Sequence, residues 1–545
     1  MRFASMAALA GAVLLVPATG VASALTGGDP LRIPDVTPGV WILKGALLVT
    51  LGWMALISVF LTNADTRPPV LPQATGVPSE RLPLETPTLL AVICLALVLR
   101  VIALGDGLWF DEIQTLVHYA RLPAGQVVTT FDSQNNHLLY SLAASVTFTV
   151  FGESAATLRL PAVLFGVASL WALHRFGIMV APRRETLLAV ALMAVSYHHV
   201  WFSQNARGYT ALLFFTLLGT WAFLLLLSRA PSWGLIAGYG LVMGLATYTH
   251  VTAALTVVVH GGIWAWLAWR HRTMEWRAPL LALVLSGLVA TTLYALVLPQ
   301  FFDTLLASTH STQTTEWQSP LWLVVETVRG LALGLPGGWL AVLIGVVLAA
   351  SGMWSYWRQS PIVLMSMVLP PVLTAGVALA LSHNLWPRFF FFAAGFALLI
   401  LVRGIYTVSL LAGRRAQPVA AVATLAVALG SALTVPRAWQ PKQDYEGAIA
   451  FVEETLAPGD AMVTVDLTTF PVTEYLARPW QTATDGRSLE AIEEAHPRTW
   501  VMYTFPVRLE AVFPEIYQRV TLAYDTAAVF PGTIGGGTIL VMVTP

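Results

Sequence analysis

Asp111 and Glu112 stand side by side in the run Gly107-Leu-Trp-Phe-Asp-Glu-Ile113, directly after the hydrophobic segment 89–104. Where bilayer meets water, two adjacent carboxylates are costly to desolvate and add nothing to anchoring. A carboxylate there can take a proton from an incoming hydroxyl, which is the work of a general base. Taken alone, the dipeptide reads more simply as ordinary acidic residues in a solvated loop. Other polar residues weigh against that simpler reading.

Asp132-Ser-Gln-Asn-Asn-His137 opens a short apolar run. Asp132 is either the N-cap of that helix or a site residue, and Asn136 and His137 are candidates for binding substrate. The run Phe202-Ser-Gln-Asn-Ala-Arg-Gly-Tyr209 places Gln204, Arg207 and Tyr209 at a helix junction. Gly208 there serves at least as a hinge. Arg388 precedes four phenylalanines and is either an interfacial anchor beside Trp386 or a lipid-phosphate ligand. His250, at a span end, reads as a satisfied interfacial histidine or as a ligand. HExxH, P-loop and GxSxG patterns are absent, so zinc proteolysis, ATP hydrolysis and serine hydrolysis lack support.

These residues must be held by a membrane protein. Of 545 residues, 57% are hydrophobic and 11% charged, against about 25% charged in soluble proteins. Zero formal net charge argues against nucleic acid as a partner. The single cysteine, Cys94, falls in a hydrophobic segment, which leaves neither a disulfide framework nor a cysteine metal site. Lysine occurs only at positions 44 and 442, so arginine carries nearly all the positive charge.

Residues 5–24 are apolar and end in Ala22-Ser-Ala24, which fits either a cleaved signal peptide or a short first span. A span follows at 39–62, and 63–87 reads as a Pro-rich linker on the cytoplasmic side. The run 138–151 is too short to cross and predicts an interfacial helix. With it lying flat, spans alternate near 158–180, 186–202, 209–227, 233–249, 251–269, 278–298, 338–356, 361–382, 389–405 and 418–435.

Charge agrees with that order, because positive residues favour cytoplasmic loops. Arg183, Arg184, Arg229, Arg270, Arg272, Arg277, Arg358, Arg414 and Arg415 share one side. Arg121, Arg207, Arg329 and Arg388 share the other, which places the Asp111 loop outside with the other candidate residues. Residues 437–545 alternate helical patterns (445–456, 488–495) with strand-like runs (461–465, 499–503, 538–543), predicting a small α/β domain on the outer side. The absence of an internal repeat speaks against an inverted-repeat transporter.

Several runs together resemble the polyprenyl-phosphate-sugar-dependent glycosyltransferases of family 39 and their bacterial relatives, within the C-class glycosyltransferase fold. This group includes protein O-mannosyltransferases and the aminoarabinose transferases that modify lipid A. The runs are Leu108-Trp-Phe-Asp-Glu112, Asn136-His-Leu-Leu-Tyr140, Gly152-Glu-Ser-Ala with Leu158-Arg-Leu-Pro161, Phe202–Tyr209, Pro387-Arg-Phe389, and Gln443–Ala450 with Pro458-Gly-Asp460. They span roughly residues 88–465, and their order is more specific than any one of them. The resemblance implies a catalytic base at Asp111 and juxtamembrane helices in the first outer loop. Two features depart from it. Leu138-Leu139 stands where many relatives carry two prolines, and the hydrophobic extension 1–62 precedes the usual first span.

The chain is therefore expected to be a polytopic α-helical membrane protein of the C-class fold, with about eleven core spans after the N-terminal extension. Its expected parts are the extension 1–62, the linker 63–87, a transmembrane domain 88–436 with a catalytic outer loop 105–157, and an extracytoplasmic domain 437–545. The expected function is inverting transfer of a sugar from a polyprenyl-phosphate-linked donor to an acceptor hydroxyl, on the outer face of a bacterial plasma membrane. The acceptor is a lipid, glycan or protein. Asp111 and Glu112 form the catalytic pair, with Asp111 as the base and Glu112 orienting the loop or an acceptor hydroxyl. Asp132, Asn136, His137, Gln204, Arg207, Tyr209, His250 and Arg388 bind substrate. No metal and no cofactor is required. Two rival functions are a multi-pass transporter or lipid-glycan flippase, and a glycan-binding scaffold.

Overall fold

The computed structural model describes residues 2–62, 82–271, 276–308, 315–335 and 337–545. Most of the linker expected at 63–87 lies outside the described residues, as does Arg272; the helix Glu85–Val101 takes up the linker's last three positions. Runs of Leu, Val, Ala and Phe fold as helices because a backbone in an apolar medium must satisfy its own N–H and C=O groups. Among the described residues, seven helices are long and apolar enough to cross a membrane, or nine if each of two bent pairs is one span. The chain is a multi-pass membrane protein on this evidence. The expected eleven core spans include shorter helices such as Trp233–Thr249, of 17 residues.

Packing separates the bundle's centre from its lipid-facing side. Tyr209–Ser228 has 83% of its apolar window buried, whereas Gly338–Gln359 has 11%. Tyr209–Ser228 lies between Ala155–Val180 and Trp233–Thr249, where Leu173, Phe176, Leu213, Phe223 and Met243 close the core. Gly338–Gln359 meets Ala394–Ser409 through small residues. A Cβ at Gly352 would strike the Ile400 carbonyl, and one at Gly404 would strike that of Leu348.

Two hydrophobic segments are bent. Residues 5–24 form helices Arg2–Leu15 and Ala18–Thr26, bent by 81°. Pro17 interrupts the hydrogen-bond ladder there, and the Lys44 ammonium donates to the Val16 carbonyl. The segment 186–202 is likewise two helices, Arg183–Ala194 and Tyr197–Ser203, bent by 59°. The buried Arg100 donates to the Ala194 (3.0 Å) and Met193 (3.3 Å) carbonyls at that break. An inserted side chain that satisfies freed carbonyls is a recognised cause of such kinks.

The run 138–151 is a 14-residue helix, ended by Gly152 at φ 81°. Ser154 then caps Ala155–Val180, accepting from the Thr157 N–H at 3.1 Å while the Thr157 hydroxyl receives the Ser154 N–H at 2.9 Å.

Past Val435–Ala438 the chain builds a five-stranded sheet: β1 (Ala461–Val465), β2 (Gln481–Ala483), β3 (Thr499–Thr504), β4 (Asp525–Phe530) and β5 (Ile539–Val543), in the order β2-β1-β3-β5-β4. β1 is parallel to β2 and β3, while β5 is antiparallel to β3 and β4. Every residue of β3 is buried. One face of the sheet packs on Leu509, Ile516 and Val520. The other, through Trp500, Met502, Ile539 and Val541, shares a core with Tyr445 and Ile449 and with Leu108, Ile113 and Tyr140 of the first loop and its helices. The sheet domain is thus continuous with the segment that carries the acidic pair.

Candidate active site

The acidic pair sits on the helix Phe110–Thr115, and its two carboxylates face different partners. Glu112 is fully buried. Its Oε1 accepts from Arg159 Nε at 2.8 Å and from the Ala206 N–H at 2.7 Å, and its Oε2 accepts from Arg159 Nη2 at 2.6 Å. Arg159 spends its remaining donors on the carbonyls of Leu104 (3.0 Å), Asp106 (2.8 Å) and Gly107 (2.9 Å). All five guanidinium N–H groups are used. Burial alone would raise the Glu112 carboxyl, but the charges of Arg159 and Lys442 and the hydrogen bonds from Arg159 and Ala206 hold it below the usual range. Glu112 is expected, within the acidic pair, to orient the loop or an acceptor hydroxyl; its placement makes it a clamp between loop 104–112, the helix Ala155–Val180 and the turn 204–208.

Asp111 points the other way. Its Oδ2 is 3.7 Å from Arg388 Nη1 and 3.9 Å from Arg207 Nη2, with the side chain 14% exposed. These are ion-pair distances, too long for direct hydrogen bonds. The carboxylate therefore faces two guanidiniums across a gap and is not consumed by them. Asn135 fixes Arg207: its carbonyl accepts from Nη1 at 2.8 Å and its Oδ1 accepts a second bond. Arg388 lies over the Trp386 ring, 4.7 Å from its centroid. Among the described residues, Arg207 Nε, Arg388 Nε and the Tyr209 hydroxyl are buried without a hydrogen-bond partner. Buried polar atoms are normally satisfied, so three unmatched ones in one cluster make it a candidate ligand site.

Two histidines line this cluster. His137 Nδ1 accepts from the Gly208 N–H at 2.9 Å, and its ring meets Tyr209 and His250 edge-on at 5.2 and 5.0 Å. Burial, followed by the charges of Arg207, His250 and Arg388, pushes the His137 imidazole well below its usual range. His250, just past its helix end, is lowered to about 4 by burial and then by Arg207 and Arg388. Both rings are neutral at neutral pH. That leaves two guanidiniums facing one carboxylate, an arrangement suited to an anion.

The other expected ligands divide. Asp132 is exposed at the rim, where its Oδ1 accepts from the Tyr119 hydroxyl at 2.6 Å. It does not cap the short helix, whose cap position is held by His137. Asn136 and Gln204 are buried with their amides spent on the protein. Asn136 donates to the Thr130 carbonyl at 2.9 Å and accepts from Ser141 at 2.7 Å. Gln204 donates to the carbonyls of Arg100 (3.1 Å) and Ile102. Both therefore position the loops instead of presenting free groups. Arg159 and Asn135 were not singled out as site residues. For Arg159 the available signal was a lone arginine opening a span in Leu158-Arg-Leu-Pro161. Among the described residues, no group of three or more His, Cys, Asp or Glu side chains is placed to hold a metal ion.

No family model matches the chain, and no curated protein matches it either. Solved structures do. The chain is similar to solved oligosaccharyltransferase and ArnT structures. The Archaeoglobus fulgidus oligosaccharyltransferase tethered to an acceptor peptide aligns with a TM-score of 0.48 at 12% identity, covering 83% of this chain and 74% of that one. ArnT from Cupriavidus metallidurans, bound to undecaprenyl phosphate, aligns with 0.45 at 14% identity, covering 83% and 97%. AglB from Archaeoglobus fulgidus, with an inhibitory peptide and a dolichol-phosphate, aligns with 0.47 at 12% identity, covering 81% and 72%. At such scores the activity must be read from the chain's own site.

Proposed function

We propose that this chain is an inverting glycosyltransferase that moves a sugar from a polyprenyl-phosphate-linked donor to an acceptor hydroxyl, on the outer face of a bacterial plasma membrane. The observation that carries the reading is the Asp111 carboxylate, held open at 3.7 and 3.9 Å from two guanidiniums. Together they form a base beside an anion site. The ordered runs that resemble family 39 support it from the sequence.

In the proposed step the acceptor O–H gives its proton to Asp111, and its oxygen bonds to the anomeric carbon. The bond from that carbon to the lipid-phosphate oxygen breaks, and the phosphate leaves with the electron pair. Arg207 and Arg388 offset the charge that develops on it. One displacement implies inversion. His137, Tyr209 and His250 form the wall behind Arg207, with the Tyr209 hydroxyl free for the donor. Asp132 stands at the rim, and Glu112, Asn136 and Gln204 hold the loops. A cleft of about 380 Å³, lined by Gly107, Leu108, Ile113, Tyr445, Glu446 and Tyr475, lies beside the helix that carries Asp111.

The test is transfer of labelled sugar from a prenyl-phosphate donor by the purified protein. Transfer to an acceptor hydroxyl with inverted configuration is expected. Movement of the intact donor across a vesicle membrane, with no transfer, would favour the flippase.

A further inference from the structure

Lys442 and Gln443 are neighbours in the strap that leads into the sheet domain, and each grips a different half of the site. The Lys442 ammonium is buried, donates to the Gln204 carbonyl at 2.6 Å and lies 5.4 Å from the Trp201 ring centroid. Among the described residues, no carboxylate comes within ion-pair distance of it. An ammonium buried without a counter-charge is unfavourable, and burial lowers it to about 7 against the opposing pull of Glu112. Hydrophobic packing would have been served better by leucine or methionine.

Gln204 opens the turn that carries Arg207. That turn is held at three alternate residues: the Gln204 carbonyl by Lys442, the Ala206 N–H by Glu112 and the Gly208 N–H by His137. Gln443 grips the other half. Its Oε1 accepts from the Phe110 N–H at 3.0 Å, one of the free donors that begin the helix bearing Asp111. Its Nε2 donates to the Thr504 hydroxyl at the end of β3, at 3.2 Å. The strap is itself tied to the loop before β5, because the Thr533 N–H donates to the Pro441 carbonyl at 3.0 Å. Adjacent Cα atoms are about 3.8 Å apart, a fixed spacing.

We propose that Lys442 and Gln443 are positioning residues, through which the sheet domain sets the separation between the Asp111 base and the Arg207 phosphate ligand. The proposal rests on the transferase reading above. Neither side chain needs to touch substrate, so loss of either is expected to slow turnover more than it weakens donor binding.

The experiment measures kcat and donor KM per folded molecule for the full-length chain, the variants Lys442→Met, Lys442→Arg, Gln443→Leu, Thr504→Val and Asp111→Asn, and the double variant Lys442→Met with Gln443→Leu. A misplacement of about 1 Å can lower turnover by about 100-fold. Lys442→Met and Gln443→Leu are each expected to lower kcat by about 10- to 100-fold, with donor KM moving less than about threefold. Lys442→Arg should recover most of the loss, and the double variant should fall no further than the worse single one. If Lys442→Met does not fold, Gln443→Leu and the milder Thr504→Val carry the test. Normal kcat in folded Gln443→Leu and Thr504→Val, with Asp111→Asn inactive, would overturn the proposal and leave the transferase reading intact. Normal kcat in Asp111→Asn, or no transfer by the unaltered protein, would overturn the transferase reading itself.

Discussion

Two neighbouring carboxylates, identical in kind to a sequence reader, become different objects because of arginines far away in the chain. Glu112 meets Arg159 and closes; Asp111 meets Arg207 and Arg388 across a gap and stays open. Replacing Glu112 with glutamine would leave Arg159 buried and uncompensated. Breaking such pairs typically destabilises by about 3–5 kcal/mol, so Glu112→Gln should lower the melting temperature in detergent much more than Asp111→Asn does. The sign of the pH effect follows from the lowered Glu112 carboxyl. The unfolded chain binds the proton first on acidification. Its contribution is therefore complete above the unfolded glutamate value, about 4.3, and is lost as the pH falls through the lower folded value. Stability measured from pH 7 downward should show that loss, and Glu112→Gln should remove it. Arg207→Ala and Arg388→Ala should each weaken donor binding by about 1.5–3 kcal/mol, the range for charge-assisted bonds. Lysine at either position should restore only part of this, because the two-pronged guanidinium is lost. Unchanged donor affinity in both alanine variants would reduce these arginines to interfacial anchors.

At the scale of elements, hydrophobic runs located the helices well. The expected span 233–249 is the helix Trp233–Thr249, and 209–227 is Tyr209–Ser228. The strand-like runs 461–465 and 499–503 fall on β1 and β3. The bend after Ala194 was not legible, since Val195-Ser196 carries no proline or glycine. Its physical cause is Arg100, which belongs to a different helix and satisfies the carbonyls at the break. The same non-local logic hid the role of Gln204, whose amide advertises a ligand but is absorbed by the distant carbonyls of Arg100 and Ile102, whereas Asn136 is absorbed locally by Thr130 and Ser141. Arg100→Leu should therefore shift the bent pair and the turn after it. Donor KM and kcat should both worsen in folded protein, and unaltered kinetics would detach the bend from the site.

For the whole molecule, a bundle with one long, buried central helix supports a polar cluster at one end, and a sheet domain packs on the loop that carries the base. The proposed topology puts Asp111, Arg207, Arg388 and residues 437–545 outside, with Arg183 and Arg414 inside. Single cysteines in a Cys94→Ser background, labelled with a membrane-impermeant reagent in intact cells, should react at exposed positions near Arg121 and Ser382, in the loops that adjoin Asp111 and Arg388, and resist near Arg414. The reverse pattern would dismantle the outward-facing site. The most direct test of the central claim is turnover of labelled prenyl-phosphate-linked sugar by purified Asp111→Asn, compared with the unaltered protein at equal folded concentration. The substitution keeps the shape and removes the basicity, so turnover should fall about 100-fold or more while the donor still binds. Near-normal turnover by folded Asp111→Asn would contradict Asp111 as the base.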